Sequence, residues 1–120
     1  MFNIVKLEDL LDEKVKARFN GISGIYGIIL KNEICYIGQT KNLYKRWNEH
    51  KHYITRPYDK CKRYRGDYKS PYPELRNAYN GYVNIYFICL EYVHPIELLI
   101  EREKYYLNEL KPKYNKRFEY

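Results

Sequence analysis

Apolar and polar positions along the chain change period several times, and each change marks an element. From Val5 to Ala17, Leu7, Leu10, Leu11 and Val15 recur every three or four residues with charges between them, which predicts a short amphipathic helix. Asn20-Gly21 stops it, and Ser23-Gly24 opens the next element. Gly24 to Leu30 is rich in β-branched and aromatic residues, as is Ile34 to Gly38. Lys31-Asn32-Glu33 turns the chain between them, so the two segments predict a hairpin. Thr40 or Asn42 can cap a helix running to about Tyr53, with Leu43, Trp47, His50 and Ile54 on one stripe and Arg46 beside it. Arg56 to Tyr72 is aperiodic and reads as a loop. Ser70-Pro71 and Pro73 lead into a short helix, Glu74 to Tyr79, closed by Asn80-Gly81. Val83 to Leu90 is a third strand, and Ile96 to Leu110 a last helix stopped by Lys111-Pro112. The order α-β-β-α-α-β-α predicts an α/β (α+β) fold: a small, three-stranded, mostly antiparallel sheet flanked by about four helices. Three strands cannot bury both faces alone, so the helices must cover the sheet.

A length of 120 residues suits one domain. No apolar run approaches the ~20 residues that span a bilayer, so no membrane partner is expected. Charges interrupt the apolar pattern from Met1 to Leu11, unlike a secretory leader, so the default location is the cytoplasm. Cys35, Cys61 and Cys89 lack the short spacing of a zinc knuckle. Cys35 and Cys89 sit in apolar runs as small core residues, and Cys61 lies in a polar stretch.

Charge adds a direction. Ten of the 22 basic residues but only three of the 15 acidic ones fall between Lys41 and Lys69, which accounts for the whole net charge of +7. Lys41, Lys45, Lys51, Arg56, Lys62, Arg63, Arg65 and Lys69, interleaved with Tyr and His, suit a polyanion such as nucleic acid. A solvated lysine-rich loop would look the same.

Three features carry candidate chemistry. A three-residue loop would set Leu30 against Ile34, Ile28 against Tyr36 and Tyr26 against Gly38. Tyr26 and Tyr36 are then diagonal neighbours about 7–8 Å apart at the backbone, beside a patch that Gly38 leaves open. In a chain with 16 tyrosines the pair is equally readable as two β-forming residues. Arg46 and His50 stand at i and i+4, where the arginine can fork onto a phosphate or lie along the core edge. Glu103 falls on the apolar stripe of the last helix, formed by Ile96, Leu99, Ile100, Leu107 and Leu110. A carboxylate there needs a partner: Arg46 in a structural ion pair, or a divalent cation.

Gly24-Ile25-Tyr26 followed by Tyr36-Ile37-Gly38 resembles the signature of the GIY-YIG nuclease family. Gln39 to Leu43 followed by Arg46, Trp47 and His50 resembles that family's arginine-bearing helix. Ile100-Glu101-Arg102-Glu103 and Pro112-Lys113-Tyr114-Asn115 resemble its metal-binding helix and closing motif. The likeness spans about Ser23 to Asn115 and is nearest to the catalytic domain of phage homing endonucleases. It implies an N-terminal helical extension, residues 1–22, and a nuclease domain, residues 23–120, within one compact unit. It also implies that Tyr26, Tyr36, Arg46, His50 and Glu103 are catalytic, that Glu103 holds one Mg²⁺ or Mn²⁺ ion, and that Gly24, Gly38 and Asn115 support the site. Two departures stand out. The signature's halves lie closer together than usual, and Gln39 replaces the lysine of repair-type members. Homing enzymes carry a separate recognition region beyond the closing motif, so the chain is expected either to take its specificity from elsewhere or to be the catalytic piece of a longer nuclease.

The implied activity is metal-dependent hydrolysis of DNA phosphodiester bonds, homing- or restriction-like, with duplex DNA as partner and a homodimer as one route to double-strand cleavage. The resemblance to homing enzymes also implies a gene of phage or mobile-element origin. The alternatives are a nucleic-acid-binding module with a decayed site, a structure-specific repair nuclease, and an RNA-binding domain.

Overall fold

The computed structural model describes residues 3–56 and 71–115. Its elements are β1 (Ile4–Lys6), a 3-10 segment (Leu7–Leu11), α1 (Glu13–Phe19), β2 (Gly24–Leu30), β3 (Glu33–Thr40), α2 (Leu43–Thr55), α3 (Tyr72–Asn80), β4 (Ile85–Tyr92), a 3-10 turn (Ile96–Leu98) and α4 (Leu99–Leu110). The strands form one antiparallel sheet in the order β1-β4-β2-β3.

The sheet therefore has four strands, not three. Ile4, Val5 and Lys6 pair with Ile88, Phe87 and Tyr86 of β4. The predicted helix Val5–Ala17 divides into this strand, a 3-10 segment and α1. Asp12 makes the division by capping α1, accepting 2.8 Å from the Lys14 amide. Spacing of Leu7, Leu10 and Leu11 every three or four residues suits a 3-10 turn as well as a helix. A three-residue strand whose partners lie 80 to 84 positions away leaves no local period.

The hairpin loop is also shorter than expected. Leu30 pairs with Glu33, and Lys31 and Asn32 both take positive φ, 50° and 67°. That is the left-handed pair a two-residue hairpin turn needs. A bulge between Ile28 and Ile29 leaves Cys35 as the extra residue, and the expected pairs Ile28–Tyr36 and Tyr26–Gly38 are restored beyond it.

Helices cover both faces of the sheet. On one side Trp47 of α2 packs against Phe19 of α1, with centroids 4.8 Å apart, and stacks on Phe87 of β4 at 5.5 Å. Leu43, Ile54, Tyr72 and Leu75 join Tyr26, Ile28 and Cys89 in this larger core. On the other side Leu99 and Leu107 of α4 pack on Ile25, Ile37 and Val93. Cys35 and Cys89 are buried, as expected; burial pushes their thiols up to about 12 and about 11. Cys61 lies outside the described residues.

The expected stripe of α4 needs correction. Ile96, Ile100 and Leu110 are 40%, 60% and 45% exposed. The inward face carries Leu99 and Leu107, with Glu103 and Tyr106 half-buried beside them. Arg102 locks the helix to the sheet through Glu91 of β4, with its Nε and Nη2 3.0 and 2.8 Å from Oε1, while Tyr106 donates to the same oxygen at 3.0 Å. This pairing holds the Glu91 carboxyl below its usual range.

Candidate active site

The site begins at one cross-strand pair. Tyr26 on β2 faces Gly38 on β3, and the tyrosine ring occupies the space a side chain at Gly38 would fill. Tyr26 is almost wholly buried, and its oxygen lies 2.6 Å from Nε2 of His50. His50 comes from the inward stripe of α2, whose first turn is set by Asn42 accepting from the Lys45 amide. The other imidazole nitrogen, Nδ1, lies 2.6 Å from the hydroxyl of Tyr72, in the first turn of α3. Tyr36 presents its ring edge-on to His50 at 5.9 Å. Three tyrosines thus surround one imidazole.

Burial sets the electrostatics. It holds His50 well below the ordinary histidine range, and the nearby Arg46 charge acts in the same direction, so the imidazole is neutral near pH 7. Burial also lifts the Tyr26 phenol above its ordinary value; Tyr36 and Glu103 add to that, while Arg46 opposes it. Tyr36, Arg46 and Glu103 therefore all lie within electrostatic reach of the Tyr26 oxygen. Burial works against the Arg46 charge too, but the Tyr26 oxygen and the Glu49 carboxylate more than offset it. Arg46 Nη1 meets Glu49 Oε1 at 2.9 Å, one helical turn away.

Glu103 approaches from α4 at the outer strand. Gln39, next to Gly38, donates from Nε2 to its Oε1 at 3.1 Å. Asn115 clamps the same strand: Oδ1 accepts from the Ile37 amide at 2.7 Å, and Nδ2 donates to the Ile37 carbonyl at 2.8 Å. Ile37 lies between Tyr36 and Gly38, so this clamp fixes the strand at the residues flanking the site.

Tyr26, Tyr36, Arg46, His50 and Glu103 thus converge, with Gly38 beneath and Asn115 behind. Gly24 stands apart at the start of β2, where the Glu91 carbonyl leaves no room for a Cβ. Lys41 and Lys45 are exposed around the start of α2, Lys51 is half-buried, and Arg56 is exposed at its end. Lys62, Arg63, Arg65 and Lys69 lie outside the described residues, as does most of the expected loop Arg56–Tyr72.

Sequence reasoning missed Tyr72, which it left in that loop. The spacing Tyr72, Leu75, Tyr79 continues the helical stripe back through Pro73, and a proline in the first turn is where a helix accepts one. Gln39 and Glu49 were also missed as the partners of Glu103 and Arg46; Glu49 stands at i+3 from the arginine, a spacing that brings side chains together.

A mixed sheet-and-helix layer gathers phenols, an imidazole, a guanidinium and a carboxylate at one edge, groups suited to proton transfer and to gripping a phosphate. Residues 22–115 match the GIY-YIG catalytic domain, so the chain belongs to the GIY-YIG family and is a nuclease that hydrolyses phosphodiester bonds. No curated protein matches the chain by sequence. Among solved structures, a mutant of EndoII from bacteriophage T4 has a similar fold, with a TM-score of 0.55 and 20% identity over 78% of this chain and 74% of that one. Among the described residues, no helix is long and apolar enough to cross a membrane.

Proposed function

We propose that the domain is a DNA endonuclease acting with one divalent cation, Mg²⁺ or Mn²⁺, held at Glu103. The observation that carries this reading is the meeting of Tyr26, Tyr36, His50, Arg46 and Glu103 at one sheet edge.

The donor set fits a hard cation. Among the described residues no three His, Cys, Asp or Glu side chains cluster into a cage. One carboxylate oriented by an amide suits an ion that keeps most of its water and takes its other ligands from phosphate. When bound, the cation supplies Lewis-acid charge to the phosphate and the leaving oxygen. Arg46 turns from Glu49 to a non-bridging oxygen and stabilises the charge that develops there. The attacking water loses its proton to Tyr26 in its ionised form. Burial opposes that form, so it depends on positive charge and donors around the oxygen. Tyr36, half-exposed beside His50, faces the water or the phosphate.

Lys41, Lys45, Lys51 and Arg56 extend along and beyond α2, where they would follow a duplex backbone; such contacts position DNA without reading sequence. One site cuts one strand, so a homing- or restriction-like double-strand cut would require two copies or two visits. The decisive experiment is nicking of supercoiled plasmid with Mg²⁺ or Mn²⁺, with and without EDTA, beside a matched RNA. Cutting that needs the metal and is lost in Glu103→Ala supports the reading. Equal nicking by Glu103→Ala, or none by wild type, overturns it.

A further inference from the structure

We infer that Tyr72 is a positioning residue: its hydroxyl donates to Nδ1 of His50, placing the imidazole proton on Nε2, which then donates to the Tyr26 oxygen. The inference deepens the nuclease reading, on which its rate prediction rests.

The chain Tyr26–His50–Tyr72 consists of two contacts of 2.6 Å through one buried ring. A neutral imidazole donates from one nitrogen and accepts at the other, so only two arrangements exist. In the first, Nε2 is bare, and Tyr26 must spend its own hydrogen on it. Ionising Tyr26 would then hand its proton to Nε2 and make an imidazolium, which burial and the Arg46 charge both oppose. In the second, Nε2 carries the proton. Tyr26 then accepts from His50, and its oxygen also faces Arg46, which can only donate. The phenol hydrogen is then not engaged by His50 and leaves to solvent on ionisation. The Nε2 hydrogen and Arg46 both support the oxygen that remains, against burial and the charges of Tyr36 and Glu103. The second arrangement is the one that lets Tyr26 act on a water without charging the buried ring.

The second arrangement needs a donor at Nδ1, and Tyr72 stands there. It is held rigidly for the task. Its ring packs on Tyr53 at 5.5 Å and under the Arg76 guanidinium at 5.9 Å, and Arg76 Nε donates to the Tyr53 carbonyl at 2.7 Å. Pro71 and Pro73 flank it and restrict the backbone on both sides. Tyr72 bonds to His50, through which it acts on Tyr26, and it lies within electrostatic reach of Arg46.

The test begins on the wild-type protein. Long-range ¹H–¹⁵N spectra of ¹⁵N-labelled protein at neutral pH distinguish the two ring nitrogens of His50, and a protonated Nε2 is expected. A protonated Nδ1 overturns the inference, and this measurement needs neither substitution nor activity. Tyr72→Phe keeps the ring and removes only the hydroxyl. His50 should then populate both tautomers, and kcat for plasmid nicking should fall roughly 10- to 100-fold, as is common for residues that orient a reacting group, with KM for DNA unchanged. In a His50→Ala background the same change should cost nothing further; additive losses would mean that Tyr72 acts by another route. A Tyr72→Phe protein with wild-type tautomer and kcat also overturns the inference. If wild type does not nick DNA, the nuclease reading fails, while the spectra still decide the tautomer.

Discussion

The Tyr26 ring lies so close over Gly38, its partner across the strands, that a methyl group built on the glycine would sit 2.5 Å from the phenol oxygen. The glycine of the second signature half is thus the floor on which the first half's tyrosine rests. Gly38→Ala must lift that ring and break its 2.6 Å bond to His50. Overpacking of this kind costs about 1–3 kcal/mol. The expected result is a moderately lower melting temperature but complete loss of nicking well below it. An alanine variant that cuts normally would show that the Tyr26–His50 contact is dispensable.

Arg46 is held by Glu49 in an ion pair about one-third exposed on each side. Pairs so exposed contribute about 0–1 kcal/mol, so Glu49→Gln should barely move stability. Releasing the guanidinium should instead be read in DNA affinity, which should rise slightly. Arg46→Ala should abolish cleavage and leave most binding intact. Arg46→Lys should lose at least about 10²-fold in kcat, because an ammonium lacks the planar fork that meets two phosphate oxygens. Plasmid nicking beside a gel-shift titration separates these effects, and a lysine variant close to wild type would remove Arg46 from the chemistry.

Asn115 offers the Ile37 backbone one acceptor and one donor at once. Asn115→Asp keeps the acceptor but turns a second carboxylate oxygen toward a carbonyl. It should therefore be worse than Asn115→Ala, which loses two hydrogen bonds worth about 1 kcal/mol each. Chemical denaturation of the two variants orders them, and an aspartate variant as stable as wild type would contradict the clamp.

These contacts differ in how far the residues alone announce them. Strand period and a turn between Leu30 and Ile34 bring Tyr26 opposite Gly38, and that pairing holds although the loop is two residues long. The bulge at Cys35 absorbs the missing residue, so an error in the turn does not propagate to the site. Glu103 is legible as an acid on an inward helix face, although Ile96, Ile100 and Leu110, which helped define that face, point to solvent. The strand Ile4–Lys6 and the Tyr72–His50 contact are not legible. Each depends on segments far apart in the chain meeting in space, and neither leaves a period or a motif where it begins. Gln39 is visible only as a replaced lysine; its bond to Glu103 appears when β3 and α4 are placed together.

Acid should unfold the domain earlier than its carboxylates alone would require, and His50 is the reason. Burial, reinforced by Arg46, holds its folded pKa well below the ordinary value, whereas in the unfolded chain it titrates near 6.5. As pH falls through about 6.5 the unfolded state binds a proton that the folded state refuses. Stability is therefore full above that value and declines below it, by up to about 1.4 kcal/mol per pH unit, until the folded pKa is reached. Glu91, held below its usual range by Arg102, adds its own loss only when the pH falls further, into the carboxylate range. The other two histidines, His52 and His94, are exposed. The interval between pH 5 and 6.5 is where the buried imidazole at the site makes its contribution. Melting temperatures measured across it should drop in wild type and stay nearly level in His50→Gln, which has nothing to protonate there. Arg46→Gln should narrow the drop only slightly, because burial is the larger cause. A wild-type melting temperature that is flat from pH 7 to 5, or equal slopes in wild type and His50→Gln, would place His50 in a wetter setting than the one that makes it a neutral link between Tyr26 and Tyr72.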